Sequence, residues 1–336
     1  MYITTVPKWY RMLRDPQMTL QFYITNFMKF AVDKVTKRNV FLDAAKRSGR
    51  AVGRPFISNE EFDSLLKERL SSDDPLFCCR YGATEITSCF YAWIRNQKIL
   101  DEISEPNLKK AKTSSGIFPK KEDVYLKFAD AYMQALENAD LNAYWGSVLM
   151  EEYMIGKTMR KDCVQYAMRA LEPFPYDEPW TMALEGRDVL IVHPFDELIE
   201  RQYQRRKEIF PEKEILPDCN LKVVKAIQSS GETVPQEYTD WSEALDALYN
   251  RCMEQDFDVA LLACGSYAVP LAARMKQAGK KAIVLGGMMQ LMFGIKGARW
   301  ELSRPDIVAL YNDFWVRATE YKVKDADKMT DGPAYW

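Results

Sequence analysis

Asp188-Val189-Leu190-Ile191-Val192 reads as a five-residue strand, apolar after its first residue, and His193-Pro194-Phe195 turns out of it. A charged amphipathic stretch running to Phe210 follows it. The same rhythm returns downstream. Leu221 to Ile227 reads as a strand, Trp241 to Gln255 as a helix and Asp258-Val259-Ala260-Leu261-Leu262 as a strand. Ala263-Cys264-Gly265-Ser266 then turns into a helix to Ala278, and Lys281 to Leu285 is a strand ending in Gly286-Gly287. Short, almost wholly apolar strands alternating with amphipathic helices predict an α/β fold: a mostly parallel, Rossmann-like sheet with helices on both faces. In such sheets ligands bind beyond the carboxyl ends of the strands, so the residues that follow each strand are the ones to question.

Upstream, Ser58 with Glu61 three residues later forms a capping-box signature for a helix to about Leu70. Leu76-Phe77-Cys78-Cys79 has the length of a buried strand, Arg80-Tyr81-Gly82-Ala83-Thr84 turns, and Glu85 to Arg95 reads as a helix. Residues 100–185 read as mostly helical, with an irregular Pro-rich stretch from Leu171 to Trp180. The expected organisation is therefore a basic N-terminal helical extension over 1–54, an α/β domain over 55–318 with a helical insert at about 100–185, and a tail over 319–336.

The 336 residues are 47% hydrophobic, enough for a large core, and the net charge of −2 argues against a dedicated nucleic-acid binder. Residues 1–54 carry eleven Lys/Arg against three Asp, a local charge of +8 that leaves −10 for the rest. With the aromatics Trp9, Tyr10, Phe22, Tyr23, Phe27 and Phe30, this segment is suited either to an anionic membrane surface or to packing on the body or a second subunit. It lacks a signal-peptide cleavage site, and its apolar stretch is too short and too polar to span a bilayer. Seven scattered cysteines without a CxxC pair, and a single histidine, make a Cys/His zinc site improbable and fit the reducing cytoplasm.

Four strand ends carry glycine or polar residues: Arg80 to Glu85, His193-Pro194, Gly265-Ser266-Tyr267, and Gly286-Gly287 with Gln290 one turn on. Glycine lets backbone approach a ligand, the helix N-termini that follow favour an anion, and Arg80 offers a bidentate phosphate contact. Each turn alone is ordinary; four on one rim point to a phosphorylated ligand. Rival motifs fail. Gly156-Lys157-Thr158 ends like a P-loop, but Glu151 occupies the position of its first glycine. The Gly265 turn lacks G-x-G-x-x-G, and no G-x-S-x-G elbow occurs.

Arg80-Tyr81-Gly82-Ala83-Thr84-Glu85 resembles the R-[FY]-G-D-G-E motif of the GT-D-fold glycosyltransferases, in its expected place after a short strand and before a helix. Phe257 to Gly265, the helix to Gly279 and the strand ending at Gly286 resemble the later half of that family. The run Gly286 to Trp300 is similar to one found in bacterial proteins near polysaccharide-assembly genes. The resemblance covers roughly 56–97 and 186–297. It implies transfer of a sugar from a nucleotide-sugar, UDP-linked by default, to a glycan or lipid-linked acceptor in bacterial polysaccharide or glycoconjugate assembly; the expected location is the cytoplasm, with the inner membrane surface as the place the basic N-terminal segment would favour. The family motif holds two carboxylates, and here Ala83 replaces the Asp. Glu85 alone remains, either to help hold Mn²⁺ or Mg²⁺ or to bind a sugar or ribose hydroxyl. Glu85 and His193 are the candidate bases. Arg80, Tyr81, Gly82, Gly265, Ser266, Tyr267, Gly286, Gly287, Gln290 and Lys296 are the candidate donor-binding residues. Tyr144, Trp145, Tyr176, Trp180, Tyr335 and Trp336 are aromatics suited to sugar rings or to the core. The competing expectation is a non-catalytic nucleotide-sugar or glycan-binding scaffold, for which Ala83 is the best support. A homodimer fits the apolar N-terminal segment.

Overall fold

A computed structural model describes residues 39–148 and 150–322, with the single positions 31, 35 and 335. The membrane and dimer expectations for the basic N-terminal segment fall mainly outside these residues. Within them, the chain builds a nine-stranded sheet from β1 (Arg50–Ala51), β2 (Arg54–Ile57), β3 (Leu76–Cys79), β4 (Leu141–Tyr144), β5 (Val164–Ala167), β6 (Asp188–His193), β7 (Asn220–Lys225), β8 (Val259–Leu262) and β9 (Lys281–Val284). The spatial order is β1-β2-β5-β4-β3-β9-β8-β6-β7. The β1–β2 pair is antiparallel and every other neighbouring pair is parallel.

The helices as far as Gln277 are α1 (Val40–Ser48), α2 (Asn59–Ser71), α3 (Ala83–Asn96), α4 (Glu105–Ser115), α5 (Glu122–Leu136), α6 (Glu151–Thr158), α7 (Asp196–Gln204), α8 (Arg206–Ile209), α9 (Trp241–Met253) and α10 (Ala268–Gln277), and three short ones, Met289–Met292, Ala298–Ser303 and Pro305–Val308, follow β9. The expected capping box starts α2: Glu61 N donates to Ser58 Oγ at 3.1 Å, and Ser58 N donates to Glu61 Oε2 at 2.8 Å. Strand side chains alternate between two cores. Phe77, Leu190, Leu262 and Val284 pack with α3, α5, α9 and α10. Cys78, Ile191, Leu261 and Ile283 pack with α2, α7 and the segment that follows β9. Both faces are covered, as apolar parallel strands require. Among the described residues, no helix is long and apolar enough to cross a membrane.

Residues 100–185 differ from the expected helical insert. They contribute α4, α5 and α6 but also β4 and β5, which lie inside the sheet between β2 and β3. These strands escape a reading by apolar runs because each has four residues with an amide in the middle. Asn142 and Gln165 face each other across the pair, both fully buried, and Asn142 Nδ2 donates to Gln165 Oε1 at 2.7 Å. Gln165 Nε2 donates in turn to the Cys163 carbonyl at 3.1 Å. A buried amide pair joined in this way, although Asn142 Oδ1 keeps no partner of its own, favours one strand register without an apolar signature.

Replacing one partner leaves the other buried without its hydrogen bond. Asn142→Leu is therefore expected to destabilise the fold by about 1–3 kcal/mol, read from urea unfolding. An unchanged unfolding midpoint would show that the amide pair does not hold the strands.

Candidate functional site

A cavity of about 350 Å³ opens at the carboxyl ends of the central strands. Along the rim it is walled by Trp145 after β4 and Arg80, Gly82, Ala83, Thr84 and Glu85 after β3. Gly286, Gly287 and Gln290 follow β9, and Gly265, Ser266 and Tyr267 follow β8. His193-Pro194 closes β6 and Gln228-Ser229-Ser230 the loop after β7, while Arg299 and Tyr335 complete the wall. The four strand ends singled out in the sequence thus share one rim.

Arg80 leaves β3 and lies across the seam to β9. A Cβ built on Gly286, where φ is +59°, would sit 2.0 Å from Arg80 Nη1. Gly82 plays the matching part for Glu85, because a Cβ there would lie 1.9 Å from Glu85 Oε2. These two glycines make room for the protein's own charged side chains rather than for a ligand. Gly265 is different: φ is +61° and a Cβ would meet nothing within 4 Å, so at this turn the backbone faces open space.

No ion pair joins Arg80 or Arg299 to a carboxylate among the described residues. Burial pulls the Arg80 guanidinium below its ordinary range; the Tyr335 phenol opposes the shift and the neighbouring cation Arg299 adds to it. A guanidinium stays protonated despite such a shift, so it carries its charge into the cavity. The Trp145 ring lies 5.5 Å from the Arg80 guanidinium carbon, a cation–π contact. Glu85, 8% exposed in the first turn of α3, is the only carboxylate lining the cavity among the described residues. The lining therefore carries two positive charges against one negative. Among the described residues, no group of three or more His, Cys, Asp or Glu side chains is placed to hold a metal ion. One carboxylate folded back over Gly82 is a poor donor set for Mn²⁺ or Mg²⁺ by itself.

Several expected roles are corrected. Tyr81 does not line the cavity; its hydroxyl turns to the opposite side and donates to Glu151. Glu151, 1% exposed, also accepts from Trp145 N at 2.7 Å and Gly146 N at 2.8 Å. Burial pushes its carboxyl up to about 7 against the pull of those hydrogen bonds. Tyr81 thus acts through Glu151 to fix the Trp145 loop. Lys296 also stays outside the cavity, with Nζ 5.2 Å from the Tyr311 ring centre. Gln290 lines the wall, but its Nε2 is occupied by the carbonyls of Ile295, Lys296 and Tyr335 at 3.2 to 3.3 Å. Ser266 Oγ accepts from Trp241 Nε1 at 2.9 Å, and the Tyr267 ring stacks on Trp241.

His193 lines the cavity but is not built as a base. It is 3% exposed, and its Nδ1 accepts from Phe195 N at 3.0 Å, which assigns the proton of the neutral ring to Nε2. Burial lowers its pKa to about 3. Nε2 can therefore donate to a ligand oxygen, and no lone pair on either nitrogen remains to take a proton.

Of the aromatics, Trp145 and Tyr335 reach the cavity, whereas Tyr144 and Trp180 are core residues. Trp336 lies outside the described residues. Arg299 and the serines at 114, 115, 229 and 230 carried no motif in the sequence; the one available hint was that Arg299 follows the last glycine turn. No protein-family model, curated protein or solved structure matches the chain.

Two outcomes follow. Gly286→Ala forces a left-handed residue and displaces Arg80. It is expected to destabilise the fold by about 1–2 kcal/mol and to abolish binding of anions at the cavity, read by unfolding and calorimetry. His193 accepts its proton near pH 6.5 when unfolded but only near 3 when folded. Its contribution to stability is complete above 6.5 and is lost as pH falls toward 3. Between pH 7 and pH 5 the wild type should lose about 2 kcal/mol relative to His193→Gln. Parallel pH profiles would contradict this.

Proposed function

We propose that the protein is a glycosyltransferase of GT-D-like fold that moves a sugar from a nucleotide-sugar, by default a UDP-sugar, to a glycan or lipid-linked acceptor. The observation that carries the proposal is the pair Arg80 and Arg299. Neither has a carboxylate partner among the described residues, and both line a cavity at the carboxyl ends of parallel strands. Such a cavity favours a phosphorylated ligand. The R-x-G-x-x-E resemblance at Arg80 to Glu85 narrows that ligand to a sugar donor.

In the proposed reaction the bond between the anomeric carbon and the diphosphate oxygen breaks, and its electrons stay on the diphosphate. The acceptor oxygen bonds to the anomeric carbon and loses its proton. Charge grows on the leaving group, so donors fixed beforehand matter most. Arg80, Arg299 and the backbone N–H groups of the Gly265 and Gly286 turns serve it, and His193 Nε2–H adds a neutral donor. Glu85 receives the acceptor proton. A divalent cation enters only in company with the donor's diphosphate.

A second reading, binding without transfer, draws on the Glu85 carboxylate, which folds back over Gly82 beside Ala83. Incubation with UDP-, GDP- and CMP-sugars and an acceptor panel separates the two. Transfer is expected with one donor, and Glu85→Gln should slow it at least about 100-fold while nucleotide binding persists. Donor binding without turnover across the panel would select the scaffold reading. Full turnover by a folded Glu85→Gln protein would remove Glu85 as the base.

A further inference from the structure

The cavity is polarised along the sheet. Its charged lining residues, Arg80, Arg299 and Glu85, belong to the β3 turn and the segment after β9. Beyond β8 the lining carries no charged group: neutral His193 after β6 and apolar Ala226 and Ile227 stand beside polar Gln228, Ser229 and Ser230 after β7, with the hydroxyl residues Tyr267 and Ser115. Strands lie about 4.8 Å apart, so β7 is about 10 Å along the rim from the Gly265 turn after β8. We infer that this neutral end is a second subsite that takes an uncharged polyhydroxylated group, the sugar ring of the donor, while the cationic end holds the phosphates. The inference rests on the anion-binding reading above and deepens it.

Three observations support the assignment. First, the end is prebuilt. Lys112 Nζ donates to the carbonyls of Ser229, Gly231 and Thr233 at 2.8, 3.0 and 2.9 Å. Gly231 N donates to the Thr113 carbonyl at 2.9 Å. Gly116 brings its backbone so close that a Cβ would meet Ser229 Oγ at 2.5 Å. The loop after β7 is thereby clamped to the end of α4, and its polar groups face the cavity at little further entropic cost on binding. Second, Ser229 Oγ and Tyr267 Oη pair at 2.8 Å, both residues being buried. A hydroxyl pair uses one of its two hydrogens, so one hydrogen and several lone pairs remain for a ligand. Third, Ser115 is 6% exposed, lines the cavity, and its Oγ has no hydrogen-bond partner. A buried hydroxyl left unpaired is destabilising; Oγ itself is shielded from solvent, and rotation of the Ser115 side chain toward a ligand hydroxyl in the cavity removes that penalty. Hydroxyls and an amide both donate and accept, which matches sugar hydroxyls, whereas a phosphate calls for donors alone.

Ser115→Ala separates binding from structure, because the two roles predict opposite signs. Removing an unpaired buried hydroxyl should leave the melting temperature of the free protein unchanged or raise it, yet weaken sugar binding. The experiment is calorimetry on the wild type, Ser115→Ala and Ser229→Ala. The probes are inorganic pyrophosphate, UDP, GDP and the hexose conjugates of UDP and GDP. The wild type is expected to bind one conjugate about ten-fold more tightly than its diphosphate, and Ser115→Ala to erase that gain without changing the affinity for the diphosphate. If diphosphates bind but no conjugate binds more tightly, or if both serine variants keep the gain, the inference is overturned and the anion-binding reading survives. If neither pyrophosphate nor a diphosphate binds the wild type, that reading fails and the inference fails with it.

Discussion

Arg80 leaves β3 at the seam where β3 meets β9, and its guanidinium fills the space that a Cβ at position 286 would need. That placement constrains the rest of the site. It requires a glycine in the left-handed region after β9 and sets the Trp145 ring beside the cation. Through Trp145 it involves Glu151, which holds the Trp145 backbone and the Tyr81 hydroxyl together. A cation in this position is tolerable because the rim of the parallel sheet opens into a cavity there. Both faces of the sheet are closed by helices.

The rhythm from Asp188 onward made the second half of the sheet legible, because the inner residues of β6, β8 and β9 are apolar and the turns after β8 and β9 carry glycine. The capping box of α2 was legible for the same reason: it is a local pattern with a local cause. The segment 100–185 was not, because β4 and β5 keep their register through the buried Asn142–Gln165 pair, which resembles loop or helix when read in one dimension. Convergence of the strand ends followed from topology. Side-chain direction did not. Tyr81 follows Arg80 directly and so turns to the other side of the strand end, and Lys296 is drawn onto the Tyr311 ring. The single histidine invited a catalytic reading, but its tautomer depends on Phe195 N, a contact that no spacing rule reveals.

The glycines repeat the lesson. In the sequence Gly82, Gly265 and Gly286 look alike, each at a strand-to-helix turn. In the structure two of them accommodate side chains of the site itself, and Gly265 faces the open cavity. Charge also divides the cavity in a way composition hides: a chain with a net charge of −2 places two arginines and one carboxylate around one cavity, with hydroxyls beyond them. A ligand with an anionic part and a neutral polar part suits both ends at once.

The central claim is that the Arg80 end of the cavity receives phosphate. The most direct test is a crystal structure of the protein in the presence of inorganic pyrophosphate at low ionic strength. The account predicts the anion between the Arg80 and Arg299 guanidinium groups, against the backbone N–H groups after Gly286. An anion bound elsewhere, with Arg80 turned to a carboxylate of the protein, would contradict it.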